Sequence, residues 1–490
     1  MKNKILIFLL VLSISIIFTY PAFPVSHALD SYCTVCNGYT KTSLWFLQNG
    51  RMFSAAFYYL FGYIQLPFYS LGFISALLGD IILTVSILVL FKVLKKNINT
   101  TSKLYNLFLL GSIFLLFFNP LLTSILLLDE FFVICLGILF LTLASVYLFK
   151  KGKKNQFISL IFTILGVMCY QGTASYLFVI SFLIIVSSKK IRSNFKYILK
   201  KIILMTLNYG ISFLVNFLLI NLVSTVLSEQ APKLGNFSFF HNFVKIFTNL
   251  LPSSYNLFGY IGFGVKYFYL LIVILLIFCI IYIIQNNNKV NNILLLLLIC
   301  LSSILVPFIP NLFMSSSSNY TDARMTLTIG GLPSIIILYI ILNFSNLKDR
   351  KVYLLSIMIF LFSILSFYSI HQNMMIDLKR YKWDMTYIKE INNMINFYEN
   401  KNHIKIDKIY YASDTDVAYY YDFGNANGAN IRMVAVPWSF ECAFKAINKD
   451  YTLEKMSQKD YLKYFDGKNF DKIDDEEFVL VGKNLFILIY

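Results

Sequence analysis

The sequence predicts an α-helical polytopic membrane protein of about 11 transmembrane helices, followed by a small C-terminal α/β domain. Three observations predict it: eleven apolar stretches fill residues 5–370, Lys and Arg crowd alternate gaps between them, and the last 120 residues turn polar and nearly neutral. A helix crossing a bilayer takes about 20 mostly apolar residues, with about 17 as the usual lower limit. Several stretches are shorter, so their helices are expected to reach into neighbouring polar residues.

In order the stretches are 5–23, 71–94, 104–118, 131–149, 157–170, 174–186, 202–223, 267–284, 293–308, 327–342 and 352–370. The first, led by Lys2 and Lys4 and followed by Ser26, His27 and Ala28, fits either a retained anchor or a cleaved signal peptide. The gaps assigned to the inner side hold 20 Lys and Arg. The outer gaps hold six: Lys41, Arg51, Lys233, Lys245, Lys266 and Arg324. Short basic loops resist translocation, so the N-terminus is expected in the cytoplasm and, after an odd number of spans, the C-terminal domain outside. Residues 157–186 are short for two crossings and long for one. Lys154 and Lys189 flank them, which favours a hairpin returning to the side it left.

The net charge of +17 marks topology and affinity for anionic lipid rather than nucleic acid. The segment 371–490 holds 16 basic and 18 acidic residues and reads as a soluble domain. Of the seven cysteines only Cys33 and Cys36 are neighbours, and either a disulfide between them or two free thiols fits. No pattern supports a metal site or another cofactor. A divalent cation is compatible with the chemistry but has no motif.

The outer loops are expected at 24–70, 119–130, 224–266 and 309–326. The first carries Asp30, Asn49 and Arg51, and its part from Trp45 to Ile64 is too apolar for a free loop, so helices lying on the outer leaflet are expected. Asp129 and Glu130 stand directly before the fourth span, as an acidic helix N-terminus or as functional carboxylates. Tyr170 and Gln171 mark the hairpin tip, and Lys266 and Arg324 are outer cations. Asp80 lies alone in the second span, a position that suggests function by default.

Four pieces together, Asp30 soon after the first span, "LQNGRMFSA" at 47–55, Asp129-Glu130 and "YQG" at 170–172, resemble the GT-C class of membrane glycosyltransferases. The bacterial serotype-converting O-antigen glucosyltransferases are the nearest part of that class. The likeness covers residues 1–370, and Asp30 is followed by Ser31 where related proteins often carry a second acid. The resemblance implies transfer of a hexose from a polyprenyl-phosphate carrier to a surface glycan on the outer face of the bacterial inner membrane. It implies Asp30, then Asp129 or Glu130, as the catalytic base, and Asn49, Arg51, Tyr170, Gln171, Lys266 and Arg324 as substrate-binding residues.

The tail is expected to open with a helix at 375–398 and to hold strands at 404–411, 431–436 and 478–489, with the aromatics of Tyr419 to Phe423 and Trp438 as candidate sugar-stacking rings. Asp414 and Asp416 form an Asp-x-Asp too far along the chain to count. A flippase or transporter of lipid-linked sugars and a glycan polymerase are rival readings. Transporters often show internal repeats and paired mid-membrane charges, and neither is visible here.

Overall fold

The computed structural model describes residues 2–23, 33–98, 102–227, 238–250, 265–284, 289–313, 323–343, 349–413, 437–448, 451–467 and 477–489. Each of the eleven apolar stretches is helical over most of its length. Among the described residues seven helices are long and apolar enough to cross a membrane: Lys4–Ala22, Leu71–Ile98, Lys103–Leu126, Phe131–Leu148, Phe195–Leu227, Asn292–Leu312 and Tyr353–Asn402. Gln171–Ser187, Lys266–Ile281 and Leu332–Asn343 are shorter apolar helices.

Helix Phe195–Leu227 shows the inverted amphipathicity expected in lipid. Leu199, Ile203, Leu207, Ile211, Leu214, Leu218, Leu222 and Val226, spaced three or four apart, form an exposed apolar stripe. Lys201, Asn208, Ser212 and Asn216 are buried on the inward face. Water would reverse that arrangement, whereas hydrocarbon favours it because polar groups must find partners within the protein. Asn208 accordingly donates to Ser159 Oγ at 3.2 Å. The chain is a helical polytopic membrane protein.

The helix ends sort into two groups that match the alternation of charge. At one end Asn97 Nδ2 donates to Ser187 Oγ at 2.8 Å, Lys201 Nζ to the Leu148 carbonyl, Arg192 to Asn343, and Tyr339 Oη to the Asn292 carbonyl at 2.7 Å. These residues lie in or near the gaps assigned to the inner side, all but the one around Lys289 rich in Lys and Arg. At the other end Asn119 Nδ2 donates to the Leu327 carbonyl at 3.1 Å and Ser75 Oγ accepts from the Phe132 amide at 3.2 Å. The helices Lys153–Cys169 and Ser175–Ser187 are thus a hairpin that starts and finishes at the basic end, with Tyr170 and Gln171 at its far tip.

The first helix is packed into the bundle. Val11 and Phe18 join the main core, and Thr19 Oγ1 donates to Asp80 Oδ2 at 2.5 Å, which supplies the partner that sequence alone did not name.

The boundary expected at 370 falls inside one continuous helix, Asp349–Asn402, of 54 residues. At 1.5 Å per residue it spans roughly 80 Å, far beyond the ~30 Å of hydrocarbon. Leu378 packs on the bundle core and Tyr381 on the C-terminal core, so one helix passes from one to the other.

The C-terminal sheet contains β1 (Lys408–Ser413), β2 (Thr452–Lys455), β3 (Phe478–Val481) and β4 (Asn484–Ile489) in the order β2-β1-β4-β3. β1 runs parallel to β2 and β4, while β3 and β4 form an antiparallel hairpin turned at Gly482. The stretch read as one strand at 478–489 is therefore two, and β2 was not expected. The strand read at 431–436 and residues 414–423 lie outside the described residues. Ile388, Ile391 and Ile395 of the long helix pack with Ile409, Phe440 and Ile487.

Cys36 is bonded to Cys442, with Cα atoms 5.1 Å apart. That bond corrects the local reading, because it leaves Cys33 and Cys36 unable to pair with each other. Helix Pro437–Ile447, which carries Cys442, packs on helix Cys33–Gln48.

Candidate functional site

The helical stretch Cys33–Gln48, broken at Gly38, packs antiparallel on helix Met52–Tyr63. The turn between them is a Schellman ending. Gly50 N donates to the Leu47 carbonyl and Arg51 N to the Phe46 carbonyl, both at 3.0 Å, with Gly50 left-handed at φ 72°. A Cβ at Gly50 would lie 2.7 Å from Ile220 Cδ1, 2.8 Å from Asn216 Nδ2 and 2.9 Å from Gln171 Nε2. Glycine is thus required twice over, for its φ and for the close approach.

This turn aims Arg51 into the bundle. Its guanidinium pairs with Glu130, and Ser54 Oγ donates to the other Glu130 oxygen at 2.7 Å. Arg51 is 7% exposed and Glu130 3%. The guanidinium carbon also stands 4.8 Å from the Tyr170 ring centroid and 5.8 Å from that of Phe46. Cation–π contact of this kind gains strength in a desolvated site. Gln171 Nε2 donates to the Asn49 and Gly50 carbonyls, both at 3.1 Å, and so clamps the turn from the hairpin tip. Asn49 Nδ2 donates to the Trp45 carbonyl at 2.7 Å, while its Oδ1 is buried with no hydrogen-bond partner among the described residues.

Five expected residues, Asn49, Arg51, Glu130, Tyr170 and Gln171, therefore meet at the end of the bundle remote from the Lys-rich end. Helix Phe131–Leu148 begins right after Glu130, whose side chain makes no capping bond. The acidic pair is thus not a simple helix cap. Asp129 is buried beside it. Burial, and next the Asp129 carboxylate, pushes the Tyr39 hydroxyl up to about 12, and the same causes with Glu130 raise Tyr58 well above its ordinary value. Both phenols remain protonated, and Tyr39 Oη donates to the Leu66 carbonyl at 2.6 Å.

The remaining expected residues fall differently. Arg324 is half-buried in the short turn Ala323–Met325, which packs on Gln171–Ala174, Pro120–Leu122 and Thr123–Leu126, so it borders the site. Lys266 is exposed near the start of helix Val265–Ile284, whose main packing partners, Leu332–Asn343, Lys289–Leu305 and Asp349–Asn402, carry none of the other expected residues. Asp30 lies outside the described residues. Ser54 and Asn216 were missed. Ser54 is three positions after Arg51 and so shares its helix face, and Asn216 continues a four-residue spacing from Asn208 and Ser212 in an otherwise apolar helix. Asn216 Oδ1 is also buried with no hydrogen-bond partner among the described residues. No three His, Cys, Asp or Glu side chains assemble into a metal site among the described residues.

Fold and site together define a helical membrane protein with a buried polar cluster at one end of its bundle. Compared with known protein families, curated proteins and solved structures, the chain matches none of them.

Proposed function

We propose that the protein is a membrane glycosyltransferase that moves a hexose, glucose in the first instance, from a polyprenyl-phosphate carrier to a cell-surface glycan. The observation that carries this reading is the convergence of Asn49, Arg51, Glu130, Tyr170 and Gln171, drawn from three separate segments, at one end of the bundle. A carrier lipid keeps its tail in hydrocarbon, so its sugar head reaches a polar cluster only at such an end. The C-terminal domain is joined to that end of the chain as well, through the Cys36–Cys442 disulfide. Disulfides persist in oxidising compartments, which supports an extracytoplasmic site, a cytoplasmic N-terminus and an extracytoplasmic C-terminal α/β domain in a bacterial inner membrane.

Glycosyl transfer needs a base for the acceptor hydroxyl and cations or amides for the departing phosphate. Asp129, buried beside Glu130 and next to the Tyr39 and Tyr58 hydroxyls, is the carboxylate we assign to the base, with Asp30 the alternative beyond the described residues. Arg51 is held rigid between Glu130 and Tyr170, and Arg324 borders the same end. Both suit phosphate, to which a guanidinium binds in a bidentate fashion. Asn49 and Gln171 supply amides for sugar hydroxyls.

The test compares the sugar composition of the intact surface glycan in cells with and without the gene. Loss of one side-branch hexose is the expected result. An unchanged glycan with accumulated lipid-linked sugar favours the flippase, and shortened chains favour the polymerase.

A further inference from the structure

A short helical segment beside the hairpin tip turns its most apolar side outward. Helix Phe239–Lys245 starts at Ser238, whose Oγ accepts from the His241 amide at 3.4 Å, and continues as a π-helical turn, Ile246–Leu250. Its surface divides into three sectors. Asn242, Ile246 and Leu250, four apart, are buried against the protein. Phe240, Phe243, Val244 and Phe247, in the i, i+3, i+4, i+7 pattern of one helix face, are exposed, Phe240 at 76%. The Phe243 and Phe247 ring centroids are 5.1 Å apart, so this face runs unbroken into the π-helical turn. His241, Thr248 and Asn249 are exposed on the remaining side.

One hydrogen bond sets the height of the segment. Asn242 Nδ2 donates to the Leu312 carbonyl at 3.2 Å. Leu312 ends the membrane-crossing stretch Asn292–Leu312, which has 21 residues. Part α-helical and part 3-10, that stretch rises roughly 30–35 Å, enough to cross the ~30 Å of hydrocarbon. The Asn292 carbonyl accepts from Tyr339 Oη at the end of the bundle remote from Gln171. Leu312, and the short helix tied to it, therefore stand where hydrocarbon gives way to headgroups at the other end. The stretch that holds the helix is itself lipid-facing, with Ile293, Leu297 and Leu301 exposed at intervals of four.

We propose that residues 239–250 form an interfacial anchor that sinks Phe240, Phe243, Val244 and Phe247 among the acyl chains of bilayer lipid. The proposal concerns the membrane alone and does not depend on the transferase reading. A helix lying at the boundary places one flank in hydrocarbon and the other in water, and the flank with His241, Thr248 and Asn249 is the one for water. A second protein surface is a poorer match for the apolar flank. Apolar faces in lipid have no hydrophobic reason to pair, and helices that do pair there use small residues that let backbones approach. This face consists of three Phe and one Val. The anchor also bears on the site. Val306–Phe313, on which it packs, packs in turn on Gln171–Ala174, whose Gln171 clamps the Asn49 and Gly50 carbonyls. Lipid contact at residues 239–250 thus fixes the depth of the hairpin tip.

The test replaces Phe240, and in a separate variant Phe243, by the photoreactive analogue p-benzoylphenylalanine in the full-length chain, with Thr248 replaced in the same way for comparison. Each variant is irradiated in intact cell membranes, purified and examined by mass spectrometry. Benzophenone inserts into C–H bonds and spares water, so its products report what covers the position. Phospholipid adducts at Phe240 and Phe243 are expected at least tenfold above those at Thr248. A crosslink to a second copy or to another protein, adducts no more frequent than at Thr248, or no product at either Phe position overturns the anchor. Should these variants fail to accumulate, Phe243→Trp in vesicles of phosphatidylcholine with brominated acyl chains is the second measurement. The fluorescence it adds to that of the wild type is expected to fall at least twofold against unbrominated vesicles, and an unchanged signal overturns the anchor. Lipid adducts in a protein that transfers no hexose keep the anchor and remove the transferase, whereas transfer without lipid adducts does the reverse.

Discussion

Cys36 and Cys442, 406 positions apart, are joined by a disulfide that fastens the C-terminal sheet to the helical pair carrying Asn49 and Arg51. The sheet is held a second time by the long helix, whose Ile388, Ile391 and Ile395 enter its core. Two independent attachments fix its place above the bundle end. The covalent one acts at Cys36, just before the break at Gly38 that precedes the helical run ending at the Gly50 turn.

Cys36→Ser should therefore remove the bond without unfolding the membrane helices. Loss of a disulfide of this kind costs about 2–4 kcal/mol, and it should appear as a lower melting temperature together with reduced transfer. Peptide mapping under non-reducing conditions checks the pairing itself. Finding Cys33 joined to Cys36 would contradict the structure.

Arg51 and Glu130 should behave as a coupled pair. Removing one partner of a buried ion pair leaves a bare charge and costs about 3–5 kcal/mol. Arg51→Met and Glu130→Leu should each destabilise strongly, and the double variant less than their sum. A double-mutant cycle on thermal unfolding reads the coupling. Simple additivity would mean that the two side chains do not meet.

Much of this cluster is readable from sequence because each member is polar within an apolar chain and sits at a break between helical runs. Asn49 and Arg51 flank a glycine, Glu130 follows a short loop, and Tyr170 and Gln171 occupy a hairpin tip. Their pairing is another matter, since Glu130 reads equally well as a helix cap until Arg51 is seen beside it. Asp377, Arg380 and Asp384, buried on the long helix, escape notice for a different reason. Once hydropathy falls after Ile370, charged residues read as solvated, although the helix continues unbroken and keeps them inside. The Cys36–Cys442 bond has no local spacing to announce it. Lys266 shows the converse error, in which a shared outer loop assignment fixes depth but not position around the bundle.

Gly50→Ala tests the turn. A left-handed conformation costs a non-glycine residue about 1–2 kcal/mol, and here the new methyl group would also meet Ile220, Asn216 and Gln171 within 2.9 Å. Stability and transfer should both fall. A fully active Gly50→Ala protein would show that the turn adopts another shape.

Asp80→Asn should be tolerated. Thr19 Oγ1 donates to Asp80 Oδ2, and an amide oxygen can accept the same bond. The other oxygen, Asp80 Oδ1, is buried with no hydrogen-bond partner among the described residues. A net difference within about 1 kcal/mol is expected for exchanging one acceptor for another. Wild-type transfer by Asp80→Asn would confine the residue to packing of the first helix, whereas lost transfer in a folded variant would give its proton a role.

Asp129→Asn is the sharpest probe of the proposed chemistry. The substitution keeps shape and hydrogen bonding but removes the capacity to take a proton, so turnover should drop about 10²–10⁴-fold, the usual range for a general base. Affinity for donor and acceptor should hold. Glu130→Gln should instead weaken the Arg51 contact and lower stability, because its carboxylate is the partner of that guanidinium. Run alongside, Asp30→Asn decides between the two candidate bases. If it abolishes turnover while Asp129→Asn retains it, the proton goes to Asp30, and the Asp129 carboxylate serves the Tyr39 and Tyr58 hydroxyls beside it.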